Sequence, residues 1–102
     1  MSKQITKEKA REMFLNHIHD MVEFWANESR KQDPKRKLDG LVFSILALID
    51  GSGMGLPAMD IVLRPHPEDK EFHQKEDEDW FEDGMVINDD CHLHEFWHKE
   101  IK

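Results

Sequence analysis

The run from Leu38 to Asp50, LDGLVFSILALID, has to be buried along almost its whole length, and the other segments have to pack around it. Between Leu41 and Ile49 only Ser44 is polar. Periodicity alone does not separate a buried strand from a buried helix in so short an apolar run. The flanks favour a helix. Asp33-Pro34 supplies an N-cap acceptor followed by a residue whose missing N–H costs nothing in the first turn. Gly51 reaches the left-handed conformation that ends a helix. Leu38, Leu41, Val42, Ile45, Leu48 and Ile49 recur at helical spacing. Gly40 opposes the helix by about 1 kcal/mol. The spacing predicts a central helix over about 34–50, with a strand over 41–49 as the alternative. Either way the run is core, because a membrane span needs roughly 20 apolar residues.

Residues 7 to about 31 read as an amphipathic helix, with Thr6 as N-cap. Its apolar stripe is Ala10, Met13, Phe14, His17, Ile18, Met21, Phe24 and Trp25. A short polar turn joins it to the central helix, which predicts an antiparallel helical hairpin. Ala58 to Arg64 alternates apolar and polar, and Met85 to Asn88 is a second short strand candidate. A polar surface helix is expected over 68–76, with Phe72 its one apolar residue. Asp89-Asp90 reads as the cap of a last helix over about 90–100, with Leu93, Phe96, Trp97 and Ile101 on its apolar face. The expected architecture is α+β in a single domain, 1–102. The hairpin (about 7–31 and 34–50) would pack on a two-stranded β-ribbon (about 58–64 and 85–88), beside the C-terminal helix.

Charge narrows the function classes. The net charge of −8 disfavours general binding to nucleic-acid phosphate. It is unevenly spread: residues 1–37 carry nine basic and six acidic side chains, and residues 38–102 carry five and sixteen. One cysteine, Cys91, rules out an internal disulfide framework and suits a reducing compartment. The N-terminal stretch lacks the apolar core of a secretory signal, so a cytoplasmic location is expected.

Three motifs invite chemistry. The glycine-rich loop Gly51 to Pro57 lacks the lysine and the strand-to-helix context of a phosphate cradle. Asp77 to Gly84, DEDWFEDG, offers no register of the calcium loop, which needs acids at alternate positions, a glycine at the sixth and a glutamate at the twelfth. His94-Glu95-Phe96-Trp97-His98 is a literal HExxH, in which two histidines one helical turn apart can share a zinc ion beside a glutamate base. Cys91 lies on the same face, so Cys91, His94 and His98 form the candidate metal set. Zinc is the cofactor that set would take. The plain explanation is chance: seven histidines in 102 residues make a short match easy. No third ligand follows downstream, and Phe96 and Trp97 are explained by packing. A Cys91/His dyad would need geometry that proximity in sequence does not supply.

The order LDGLVFSILALIDG, LPAMDIVLRPHPEDKEF, then DGMVINDD with LHE close behind, resembles small uncharacterised proteins encoded by bacteria and their phages and prophages. The resemblance covers roughly residues 37–97 and brings no activity or functional residue with it. It implies a small accessory or host-interaction protein rather than a housekeeping enzyme. The leading expectation is therefore a non-catalytic binding or regulatory module. Its acidic segment, Asp77, Glu78, Asp79, Trp80, Phe81, Glu82 and Asp83, would meet a protein partner with a basic surface. Exposed Trp80 and Phe81 favour an interface there, and packed ones favour a solvated loop. The alternative is a metal-binding protein or zinc hydrolase centred on 94–98. A homodimer fits both readings.

Overall fold

The computed structural model describes residues 2–28, 33–52 and 55–100, and the side chains of 98–100 fall outside that description. Four α-helices form among the described residues: α1, Lys7–Ala26; α2, Pro34–Ala47; α3, Asp69–Lys75; and α4, Leu93–Glu100. A turn of π-helix, Leu48–Ser52, continues α2 until Gly51 breaks it at φ 94°. Among the described residues there is no strand, so the α+β expectation is wrong and the molecule is helical.

The chain divides into two compact units. One is built from residues 1–59 and 92–102, the other from residues 60–91. In the first unit the local signals act as expected. Thr6 Oγ1 accepts the Lys9 N–H at 3.1 Å, and Asp33 Oδ1 accepts the Lys35 N–H at 3.0 Å beside Pro34. α1 ends at Ala26 rather than near 31, where Asn27 donates its side-chain amide back to the Glu23 carbonyl.

α1 and α2 pack antiparallel, and Gly40 is the reason they approach so closely. The Trp25 indole lies against it, so a Cβ at position 40 would sit 2.6 Å from the ring. One turn on, Ser44 Oγ accepts the Trp25 Nε1–H at 2.9 Å. The glycine that weakens the helix locally is the contact surface of its neighbour. α4 takes a different side of α2. Asp39, Phe43 and Asp50 share that side at helical spacing, and they meet Trp97, His94 and the α4 N-terminus respectively. Leu48 is the one fully buried hydrophobic side chain among the described residues.

The second unit explains why the ribbon fails. Residues 58–64 and 85–88 do meet, at a single antiparallel bridge between Val62 and Val86. Two ladder bonds form around it, from Leu63 N–H to the Met85 carbonyl and from Ile87 N–H to the Ile61 carbonyl. The reciprocal two are diverted. Gly84, not Met85, donates to the Leu63 carbonyl. The Ile61 N–H goes to the Asn88 side-chain oxygen at 2.8 Å instead of to a backbone carbonyl. Asn88 is buried, 8% exposed, and closes the ladder where a strand would have continued.

Candidate functional site

The acidic segment lies wholly in the second unit, and its geometry begins with the end of α3. Asp77 adopts φ 55°, a left-handed conformation that a short polar side chain tolerates better than most. That reversal lets Glu78 return to α3: its N–H donates to the His73 carbonyl at 2.8 Å, and its carboxylate pairs with His73 Nδ1 at 3.2 Å. Asp79 follows, exposed.

Trp80 and Phe81 then part company. Trp80 is half-buried, with the Lys70 ammonium 4.2 Å from its ring centroid. Phe81 is 68% exposed, more than any other exposed large hydrophobic residue described. The two aromatics form one wall of a pocket of about 290 Å³. Pro65, His66 and Pro67, the proline wall, line it too, together with Lys70, Glu82 and Asp83. Local bonds shape the proline wall: Asp69 Oδ2 accepts the His66 N–H, and His66 Nδ1 accepts the Glu68 N–H. Arg64 lies 4.0 Å from Asp83, with both side chains largely in solvent. The structure thus brings Trp80, Phe81, Glu82 and Asp83 to one concave surface. Asp77 and Glu78 are spent in shaping the turn.

The metal set is a different matter. His94 opens α4 with its ring 23% exposed and Nδ1 only 2.6 Å from Asp50 Oδ2. The Asp50 carboxylate is 1% exposed and also accepts the Leu93 N–H at 2.9 Å and the His94 N–H at 2.8 Å. Asp50, reached from the end of α2, is therefore the cap of α4. The expected cap, Asp89-Asp90, lies outside the helix, and both residues are exposed. Burial by itself raises the Asp50 pKa. The bonds from His94 and Leu93, with the nearby His94 charge, outweigh burial and hold the pKa below the ordinary 3.8.

A buried carboxylate on His94 Nδ1 also orients the ring, as such partners do for metal-binding histidines. Cys91, half-buried, ends the second unit, and the His98 side chain lies outside the described residues. Among the described residues no three His, Cys, Asp or Glu side chains are grouped to hold a metal ion. His92 stacks on His94 with 5.9 Å between ring centroids, and its Nδ1 lies 3.5 Å from Glu95 Oε1. Glu95, the base of the HExxH reading, is thus turned toward a histidine outside the motif.

A second concave surface lies between α1 and α2 in the first unit. Val22, Trp25, Ala26, Pro34, Leu38 and Leu41 line an almost wholly apolar groove of about 280 Å³. Leu38, read as core from the sequence, is 63% exposed beside it. No helix of the described residues is long and apolar enough to cross a membrane.

Sequence reasoning missed Asp39 and Asp50 as structural residues. The signal was present, because they are the only two acids between Leu38 and Met59 and both punctuate an apolar run. No family model, curated protein or solved structure matches this chain.

Proposed function

We propose that the protein is a non-catalytic binding module that engages a basic protein partner through the acidic segment of its second unit. The observation that carries this reading is Phe81, a large aromatic ring left 68% in solvent between acidic neighbours. A phenylalanine placed so costs solubility, whereas an aromatic anchor amid charge is how many interfaces concentrate their binding energy. The carboxylates around it would steer a basic surface into contact and repel nucleic acid. Most of the acids then contribute to association rate, and Phe81 to residence time.

The test needs variants that leave the turn intact. Asp79→Asn, Glu82→Gln and Asp83→Asn remove charge without volume and spare Asp77 and Glu78, which shape the turn. Full-length protein carrying these three changes, and separately Phe81→Ser, is compared with wild type in pull-downs quantified by mass spectrometry at low and high salt. A genuine partner is basic, weakens with salt and is lost in both variants. Retention of every recovered protein by both variants would overturn the reading.

A further inference from the structure

Resting on that reading, we infer that the pocket between the proline wall and Trp80/Phe81 receives an arginine side chain of the partner. The argument starts from size. At about 290 Å³ the pocket is at the small end for ligand sites, which suits one long side chain rather than an extended ligand. Its walls divide by chemistry. Pro65, Pro67, Trp80 and Phe81 offer apolar surface along which an aliphatic stem can lie. Glu82 and Asp83 in the same lining offer carboxylates for a cationic head.

A cation already occupies part of this environment. The Lys70 ammonium sits over the Trp80 face at 4.2 Å, so the ring and its surroundings accept positive charge. Lys70 is exposed, as is Arg64 beside Asp83, and neither is locked in place by burial. Both are cations that an incoming residue has to displace or share with. Arginine competes better than lysine here. Its guanidinium is planar, stacks on aromatic faces, sheds water more readily and pairs with a carboxylate through two parallel bonds. The field of the unit points the same way, since residues 60–91 hold twelve acidic and three basic side chains. An anionic ligand would meet the Glu82 and Asp83 carboxylates in the lining.

Lys70 makes the inference testable with a sign. If it is an internal competitor, Lys70→Gln tightens binding of an arginine peptide by about 3- to 5-fold. If it is instead a ligand for an anion, the same change weakens binding. The probes are capped Gly-Gly-Xaa-Gly-Gly peptides with arginine, lysine, citrulline or glutamate at Xaa. They are titrated into full-length ¹⁵N-labelled protein at low salt, with the Trp80 indole N–H and the amides of 80–83 as reporters. The expected order is arginine, then lysine, then citrulline, with no saturation by glutamate. Phe81→Ala should weaken the arginine peptide about 5- to 10-fold, and because the ring is exposed the variant keeps the wild-type spectrum elsewhere. Equal binding of arginine and lysine, indifference to Phe81→Ala, or weakening by Lys70→Gln would each overturn the inference. A basic partner that is lost on neutralising Asp79, Glu82 and Asp83 and in Phe81→Ser, while the peptides show no preference for arginine and Lys70→Gln changes nothing, would sink the arginine pocket and leave the acidic binding surface standing. Absence of any basic ligand would sink both.

Discussion

The two units of this chain solve opposite problems. Residues 1–59 with 92–102 carry eleven basic and ten acidic side chains, close to neutrality. Residues 60–91 carry three and twelve, a net of −9 in 32 residues. The first unit is built from helices that bond to each other through single, well-placed polar side chains. Trp25 donates to Ser44, Trp97 to Asp39, and three donors converge on Asp50. The second unit has one seven-residue helix, one bridge and a buried asparagine, and its charge works against compaction. Charge tolerated at that level in so lightly held a segment has to be explained by solubility or by recognition. The exposed Phe81 is a poor choice for solubility. The comparison teaches that stability and surface chemistry are carried by different parts of the chain.

The sharpest way to break the comparison is at Asp50. Asp50→Ala removes a cap, two backbone bonds and the His94 partner at once, and should cost about 2–4 kcal/mol in urea denaturation. Hydrogen exchange should show α4 losing protection while residues 60–91 keep theirs. A loss below about 0.5 kcal/mol would mean the cap contributes little. The pH dependence follows from the same group. Because its folded pKa lies below 3.8, the unfolded state binds the proton more readily. The Asp50 contribution is therefore complete above about pH 4 and is lost as pH falls through the lower, folded value. Asp50→Asn should flatten that part of the acid-unfolding curve.

Gly40 gives the next largest effect. Gly40→Ala improves helix propensity by about 1 kcal/mol, but the added methyl meets the Trp25 ring. Displacing that ring also breaks its bond to Ser44, so a net loss of about 1–2 kcal/mol is expected in thermal or urea unfolding. A gain in stability would show that the ring moves aside freely. In the second unit, Asn88→Ala should cost about 1–2 kcal/mol by orphaning the Ile61 N–H. Exchange should rise at Ile61 and Ile87 and stay unchanged in α1 and α2. Equal loosening of both units would erase the distinction drawn between them. The smallest effect is expected from metal. Chelator or equimolar zinc should move the melting temperature by less than about 1 °C, since a metal that binds the folded state measurably must raise it. A stoichiometric zinc ion, with a melting point that falls in His94→Ala, would restore the HExxH reading.

Some of this architecture was legible because it is local. Thr6, Asp33-Pro34 and Gly51 act on backbone groups within a few residues, and such bonds can be read from spacing alone. Most of the apolar stripe of α1 was legible for the same reason, as was the charge of the second unit: Met13, Phe14, His17, Ile18, Met21 and Trp25 are half-buried, whereas Ala10 and Phe24 stay exposed. Trp80 and Phe81 could be flagged but not sorted. Which ring is sheltered depends on where Lys70 and the proline wall fold back.

The rest was decided by tertiary structure, because it depends on partners far apart in the chain. The cap of α4 comes from Asp50, 43 residues before Leu93, while the local candidates Asp89 and Asp90 are bypassed. The ribbon foundered on Asn88, whose side chain takes the N–H of Ile61 across 27 residues. An alternating pattern states that a segment is able to pair, and it does not say that every ladder bond will be made. Gly40 reads locally as a defect and becomes a contact only once Trp25 lies on it. The sequence by itself determined where α1 and α2 begin, most of the apolar face of α1 and where negative charge gathers. Only the three-dimensional arrangement decided which polar groups satisfy which, because a buried donor takes the nearest acceptor in space.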